Sequence, residues 1–144
     1  KYTIPGMKVL QQRIPNNQVH DEINPKHWDY NVAAYTSTHD SPTVKQWFNE
    51  VDDIQLQFFY DYKKDIKSKF DSDIWNFISL VWESPCQLAI TTIQDLLELD
   101  KEARFNLPGT KEGNWKWRIQ DLADLKKPLN ILKELNNVNE RISD

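Results

Sequence analysis

The apolar positions of this chain fall into short strand-like runs separated by longer stretches with helical spacing. The strand-like runs cover residues 7–11, 31–38 and 86–93. Runs of about four to eight residues bounded by turn residues are typical of buried strands. The pattern therefore predicts three strands, with residues 16–30 as a polar loop between the first two.

Helical spacing begins after the second predicted strand. From Pro42 onward the apolar residues recur at the interval of one helix face, which predicts an amphipathic helix with a break near Asp52 and Asp53. Ser41 is expected to cap this helix, and Pro42 to occupy its first turn. The apolar stripe consists of Val44, Trp47, Phe48, Val51 and Ile54.

A second helix is predicted before the third strand. Asp71 or Ser72 can cap it. Ser84-Pro85 can end it, because the residue before a proline is disfavoured in helical conformation. Its apolar stripe consists of Ile74, Ile78, Val81 and Trp82.

Helical sequence also follows the third predicted strand. We expect a short helix at residues 96–99, a loop over residues 100–117 and a helical tail over residues 122–142. The predicted apolar face of the tail consists of Leu129, Leu132, Leu135, Val138 and Ile142.

Strands that alternate with helices favour parallel β/α units and an α/β fold class. An open doubly wound sheet would normally carry a Gly-rich phosphate turn after its first strand, and none of the three glycines forms one. A (β/α)8 TIM barrel takes about 250 residues. This chain of 144 residues would therefore supply only the later part of a barrel, with three β/α units plus C-terminal helices.

The composition adds two expectations about the surroundings of the chain. Aromatic side chains make up 12% of the residues against only three Gly, and large rings generally need thick layers or a sugar-like partner to cover them. We therefore expect an aromatic surface built to meet missing neighbours. The first residue is Lys1 rather than Met, which leads us to expect that the chain begins in the middle of a larger protein.

Charge and cysteine content argue against several classes of partner. The net charge is −4, and Lys and Arg are interspersed with Asp and Glu, so no basic stripe is offered to nucleic acid. No run approaches the ~18 apolar residues of a membrane-spanning helix. The lone Cys86 predicts a reducing compartment, with the cytoplasm as the default. No metal or organic cofactor is expected, because His20, His27 and His39 are too scattered to form a ligand cluster.

The candidate chemistry of the chain begins at residues 38–43, Thr-His-Asp-Ser-Pro-Thr. Here an imidazole and a carboxylate, His39 and Asp40, stand between the second predicted strand and a helix, and barrel enzymes keep their active sites at the carboxyl ends of their strands. The same residues have a plainer interpretation, since Asp, Ser and Pro commonly precede a helix as capping residues. Gln94 and Asp95 repeat the arrangement at the end of the third predicted strand.

Four stretches of the chain, taken together, resemble a known family. They are residues 5–11 (Pro-Gly-Met-Lys-Val-Leu-Gln), residues 35–43 around His39-Asp40, residues 93–97 (Ile-Gln-Asp-Leu-Leu), and residues 104–110 (Arg-Phe-Asn-Leu-Pro-Gly-Thr) with residues 113–118 (Gly-Asn-Trp-Lys-Trp-Arg). In this order they resemble the C-terminal part of the 4-α-glucanotransferases of glycoside hydrolase family 77, the amylomaltases. The last stretch is the most specific. The family pattern usually continues His-Asp with Asn-Asp-Thr, where this chain has Ser-Pro-Thr.

The resemblance implies a (β/α)8 barrel enzyme that transfers segments of α-1,4-glucan or malto-oligosaccharides with retention of configuration. Such a mechanism needs a nucleophilic carboxylate and an acid/base carboxyl about 5 Å apart. In the family both lie upstream of the Pro-Gly-Met stretch, so residues 1–144 are expected to need the missing N-terminal part of the same barrel. By the same resemblance, Asp40 is expected to stabilise the transition state and His39 to donate to the same sugar.

The resemblance also places Asn106, Pro108 and Gly109 in a loop that shapes the acceptor side of the cleft, although a simple turn explains the same residues. Trp115 and Trp117 are expected to be buried in the core rather than to stack on glucose rings. The roles of Arg104, Arg118, Gln94 and Asp95 stay open between pairing near the site and fixing the loop.

Two further alternatives remain at this level. The chain could be a non-catalytic binding module derived from the same fold, which an upstream extension carrying two more strand-end carboxylates would argue against. Hydrolysis could also replace transfer, because both reactions share the covalent intermediate and differ only in whether water or a sugar hydroxyl resolves it.

Overall fold

A parallel three-stranded sheet forms the centre of the fold. The computed structural model describes residues 4–14 and 24–141, and it places β1 (Gly6–Val9), β2 (Val32–Tyr35) and β3 (Leu88–Ile90) side by side in that order. Val9 pairs with Tyr35, and Tyr35 with Ile90, so the three strands end at one common edge. The predicted α/β fold class with parallel strands is confirmed.

Each strand is shorter than its apolar run suggested. The prediction of strand structure through Gln11 was wrong, because Leu10 and Gln11 belong to the one-turn helix α1 (Leu10–Arg13). Pairing with β2 stops at Val9. Leu10 is buried, and an apolar residue can be buried in a helix as readily as in a strand. The third run was also too long, since Thr92 caps a one-turn helix in which Gln94 and Asp95 lie.

Only residues 24–30 of the predicted polar loop between the first two strands belong to the described part of the chain. Residues 15–23 lie outside the described part of the chain. Residues 24–30 include a 3-10 turn at Pro25–His27, and the ring of Trp28 just after it is buried. This segment therefore contributes to the core instead of forming a purely polar connection.

Three helices between β2 and β3 confirm the predicted helical stretch and its break. They are α2 (Val44–Glu50), α3 (Asp53–Lys63) and α4 (Asp73–Trp82). Asp52 separates the first two by capping α3, and Ser72 caps α4. The predicted cap at Ser41 was wrong. The hydroxyl of Thr43 accepts the Gln46 N–H at 3.1 Å, so α2 starts after Pro42.

After β3 come α5 (Ile93–Leu96), a 3-10 turn at Lys101–Ala103, a second at Leu122–Leu125, and α6 (Lys126–Val138). The predicted apolar face of the tail was partly wrong. Leu135 is buried, but Leu129 and Val138 are about half exposed, and Ile142 lies outside the described residues. Ile131 and Leu132 complete the packed face, because α6 turns the side near Leu135 toward α4.

The hydrophobic core lies between the sheet and the helices, with α4 as its most buried element. Phe77 on α4 is fully buried and contacts the rings of Trp47, Phe48 and Phe59, with centroid separations of 5.3, 5.8 and 5.9 Å. The expectation of an aromatic surface was wrong for most of the tryptophans. Those in the core are Trp28, Trp47, Trp75 and Trp82.

Arg141 binds the end of α4 and the turn that leads into β3. Its guanidinium donates hydrogen bonds to the carbonyl oxygens of Trp82 at 2.7 Å, Ser84 at 2.6 Å and Cys86 at 3.0 Å. These carbonyls belong to the end of α4 and the turn before β3, where helix carbonyls lack partners. Across the described stretches, no helix has the length and apolar character to cross a membrane.

Candidate functional site

His39 and Asp40 lie in the connection between β2 and α2, at the edge of the sheet where all three strands end. The His39 Nε2 atom is 3.3 Å from the Asp40 Oδ2 atom. The two side chains are 59% and 51% exposed, so both are open to a ligand. The structure thus places the first two candidate residues together at the predicted end of the sheet.

A second segment, far away in sequence, docks onto these two residues. The Asn106 side chain donates from Nδ2 to Asp40 Oδ1 at 2.6 Å, and its backbone N–H donates to the His39 carbonyl at 3.0 Å. Arg104 donates from Nη2 to the Asp40 carbonyl at 2.9 Å and from Nε to the Asn106 carbonyl at 3.0 Å. Asp40 is therefore held through both its backbone and its carboxylate.

Pro108 and Gly109 form a tight turn beside Asn106. The Thr110 N–H donates to the Leu107 carbonyl at 3.2 Å, and Gly109 has a φ of +84°. Pro followed by Gly at positive φ is the pattern of a type II turn. The side chain of Asn114 ties the loop together by accepting the Leu107 N–H at 2.9 Å. These residues fix the loop that carries Asn106.

Trp115 lies beside His39 rather than in the core. The two ring centroids are 5.3 Å apart, and Trp115 also meets the edge of Phe105 at 5.1 Å. The expectation of burial was wrong for Trp115, which is 52% exposed, and Trp117 is only half-buried. The loop that carries both rings docks at the sheet edge, where the core layers do not reach them.

A cavity of about 280 Å³ opens next to residues 37–43. Its walls combine hydroxyl, amide and guanidinium groups with aromatic rings, a mixture typical of sites that bind polar ligands with apolar faces. Lining residues include His39, Thr92, Gln94, Arg104, Phe105 and Trp117. Arg104 therefore contacts Asp40 and lines the cavity, a double role that sequence reasoning left open.

Asp95 lies beneath the site and is buried. Its carboxylate accepts hydrogen bonds from the Thr36 hydroxyl at 2.8 Å, from the Ser37 hydroxyl, and from the Val44 N–H at 2.8 Å. Burial raises the pKa of this carboxyl above its ordinary value, while the hydrogen bonds from Ser37, Val44 and Thr36 act to lower it. The hydrogen-bond donors favour the ionised form of Asp95, but the effect of desolvation is larger, so the pKa is raised.

The buried Asp95 predicts how stability changes with pH. Because its pKa is raised in the folded state, the folded protein binds this proton more tightly, and stability falls as pH rises from about 4 through the folded-state pKa. Each unit of the raised pKa corresponds to about 1.4 kcal/mol. Urea unfolding of wild type and Asp95→Asn from pH 4 to 8 measures the difference in unfolding free energy. The free energy of unfolding of the wild type, taken relative to that of Asp95→Asn, should fall as pH rises. A rise with pH contradicts the prediction.

Within residues 4–14 and 24–141, no three His, Cys, Asp or Glu side chains come together as a metal-binding group. The groups gathered at the site are a carboxylate, an imidazole, an amide and a guanidinium, from Asp40, His39, Asn106 and Arg104. These can accept and donate several hydrogen bonds to a polyhydroxylated ligand, with the carboxylate favouring positive charge.

Comparison with known proteins finds a matching family model and relatives of this chain. The model described as 4-alpha-glucanotransferase, glycoside hydrolase family 77, matches residues 1–125. The 4-alpha-glucanotransferase of Streptococcus pneumoniae is 38% identical over 119 residues, 81% of this chain and 23% of that protein. The protein of the same name from Aquifex aeolicus is 35% identical over 127 residues, 88% of this chain and 25% of that protein. The chain thus spans about a quarter of the length of the curated relatives it matches.

A solved structure has the same fold. The amylomaltase from Streptococcus agalactiae in complex with acarbose superposes on this chain with a TM-score of 0.85 and 26% sequence identity. The match covers 97% of this chain and 28% of that one. All four stretches that carry the sequence resemblance, including the His39-Asp40 and Asn106 segments, lie within the residues matched by the family model.

Proposed function

This chain belongs to glycoside hydrolase family 77, the 4-alpha-glucanotransferases, and on that premise we propose what its full-length protein does. The protein transfers a segment of 1,4-α-glucan from a donor chain to the 4-hydroxyl of an acceptor glucose or glucan. The observation that carries this proposal is the exposed Asp40 beside His39 at the carboxyl end of a parallel sheet, with its carboxylate held by Asn106 and its backbone carbonyl held by Arg104. Malto-oligosaccharides are the proposed substrates.

Asp40 is the proposed stabiliser of the transition state. Glycosyl transfer with retention passes through an oxocarbenium-like transition state, in which positive charge develops on the sugar ring. An ionised carboxylate that accepts hydrogen bonds from sugar hydroxyls is favoured as that charge grows. Asn106 donates to the Oδ1 atom at 2.6 Å and His39 Nε2 lies 3.3 Å from the Oδ2 atom, which leaves the remaining lone pairs of the two exposed oxygens for the sugar.

The proposed binding residues surround Asp40 on the exposed side. His39 donates to the same sugar from its ring, which packs against the Trp115 ring at an interplanar angle of 38°. Asn106 contacts the sugar near Asp40, while Pro108 and Gly109 place turn backbone along the acceptor side of the cleft. The cavity of about 280 Å³, which His39 lines together with Phe105 and Trp117, adds an aromatic wall next to His39.

Residues 1–144 are proposed to be the C-terminal part of a (β/α)8 catalytic barrel, with three β/α units and C-terminal helices. Three parallel strands are too few to close a barrel of eight, and the match that covers 97% of this chain covers only 28% of an amylomaltase. The nucleophile and the acid/base carboxyl would then come from the remaining part of the barrel, and this chain alone would be inactive. A cytoplasmic location is proposed because Cys86 is a free, buried thiol.

Incubation of the full-length protein with maltotriose tests the proposed function. Glucose together with a ladder of maltodextrins longer than maltotriose is the expected product pattern. Glucose and maltose without longer products would assign the protein to hydrolysis. If maltotriose stays unchanged, the proposal is wrong and a non-catalytic glucan-binding module takes its place.

Asn106→Ala is expected to lower kcat for maltotriose about 10- to 100-fold, because the Asp40 carboxylate loses the donor that fixes its orientation. Asn49→Ala is the matched control. Asn49 donates to Asp100 at 2.7 Å, an amide-to-carboxylate hydrogen bond of the same kind on the outer surface. Equal kcat values for the two variants would contradict a role for Asn106 in holding Asp40.

A further inference from the structure

Asp95 connects the two ends of the loop that carries His39 and Asp40. On the near side its Oδ2 atom accepts from the hydroxyls of Thr36 and Ser37, which follow directly on β2. On the far side its Oδ1 atom accepts from the N–H of Val44, the first residue of α2. One carboxylate therefore holds both ends of residues 38–43.

The loop between these two anchor points has one internal brace. The Ser41 hydroxyl accepts the Thr38 N–H at 2.7 Å and donates to the Thr38 carbonyl at 3.1 Å. This brace fixes the shape of the loop but does not attach it to the sheet. It is attached from below through Asp95, from the side through Arg104 and Asn106, and at Pro42 through the Gln11 side chain, which donates to the Pro42 carbonyl at 3.1 Å.

Asp95 itself cannot touch a sugar in the cleft. The residue is 1% exposed, and its carboxylate is enclosed by its donors. Capping alone does not explain it either, because Thr43 already caps α2 and Thr92 already caps α5. What distinguishes Asp95 is that it bridges β2, α2 and α5 across 51 to 59 positions of sequence.

We propose that Asp95 is a positioning residue for glucan transfer, which acts on the reaction through Asp40 by clamping both ends of residues 38–43. The inference rests on the proposed function, since it assigns Asp95 a task within that reaction. A carboxylate suits this task because one group can accept all three hydrogen bonds at once, whereas an amide has only one accepting oxygen.

The test compares Asp95→Asn with Glu83→Gln in the full-length protein. Glu83 controls for the loss of a buried negative charge, because its side chain is 2% exposed and its Oε1 atom alone accepts from the N–H groups of Lys67 and Ser68 and from the Ser79 hydroxyl. It lies at the end of α4, away from residues 38–43. Asp95→Asn should lower kcat for maltotriose about 10- to 100-fold. Glu83→Gln should leave kcat within about twofold, even where its melting temperature falls.

A double variant separates positioning from general damage. If Asp95 acts through Asp40, then Asp95→Asn should cost little further activity once Asp40→Asn is present, because residues that act as a unit are not additive. Full additivity of the two losses in kcat would overturn the proposal, and so would an Asp95→Asn enzyme with wild-type kcat. Should Asp95→Asn fail to fold, Ser37→Ala removes one donor and leaves the carboxylate in place, with an expected loss of about 3- to 10-fold in kcat.

Hydrogen exchange gives a readout that does not depend on catalysis. The backbone amides of residues 38–44 should exchange faster in Asp95→Asn than in wild type, and at the wild-type rate in Glu83→Gln. Unchanged exchange in Asp95→Asn would overturn the clamp. A wild-type protein that leaves maltotriose unchanged overturns the proposed function instead, whatever the exchange rates are, so the two failures can be told apart.

Discussion

Asp40→Asn is expected to lower kcat for maltotriose by about 100- to 1,000-fold, a loss that leaves a measurable residual rate. The amide keeps the shape of the side chain but not its charge. Since the charge of the sugar ring develops only on the way to the transition state, the loss should fall on kcat and kcat/KM together, with a smaller change in KM. In free energy the loss corresponds to about 2.7–4 kcal/mol of transition-state stabilisation.

Asp100→Asn is the control for this substitution. Asp100, like Asp40, accepts a hydrogen bond from an asparagine side chain, here Asn49 at 2.7 Å, but it stands outside the candidate site. Its kcat should stay within about twofold of wild type. An Asp40→Asn enzyme that retains a third or more of the wild-type kcat would remove Asp40 from the proposed catalytic role.

Phe77→Ala is expected to have the largest effect on stability, about 3–5 kcal/mol in the free energy of unfolding. Phe77 is fully buried on α4 and meets the rings of Trp47, Phe48 and Phe59, so truncation opens a cavity where α2, α3 and α4 meet. Neighbouring aromatic rings are large and rigid, which limits how far they can close that cavity. Chemical denaturation of the full-length protein measures the loss.

Leu129→Ala provides the comparison for Phe77→Ala. Leu129 is 49% exposed on α6, so shortening it should change the unfolding free energy by no more than about 0.5 kcal/mol. Phe77→Leu keeps much of the volume and should lose about 1.5 kcal/mol or less. A loss below about 1 kcal/mol for Phe77→Ala would mean that this cluster contributes little to the packing of the three helices.

Several features of the fold could be read from the sequence because they depend on residues close together along the chain. The break near Asp52 and Asp53 and the cap at Asp71 or Ser72 were such predictions, and in the structure Asp52 and Ser72 each accept an N–H three positions later. Helical and strand-like spacing is equally local, and it gave the correct order of strands and of the main helices. The motif at His39-Asp40 was found the same way, as polar residues that follow a strand.

Positions where two local interpretations were equally good needed the tertiary structure. Ser41 was the predicted cap, but Thr43 accepts the Gln46 N–H and Asp95 accepts the Val44 N–H, so α2 begins at Val44. Ser41 instead braces the loop at Thr38. Leu10 fits a strand or a buried helical turn, and the end of pairing at Val9 decides for the turn.

The sequence by itself determined the kinds of elements, their order and the presence of a carboxylate next to an imidazole at a strand end. Only the tertiary structure decided which groups meet there. Asn106 reaches Asp40 across 66 positions, and Asp95 reaches Thr36 across 59. Periodicity and capping record contacts within a few residues, whereas these hydrogen bonds exist because parallel strands bring their ends to one edge of the sheet. For the same reason the exposure of Trp115 was decided by where its loop docks, not by its own apolar character.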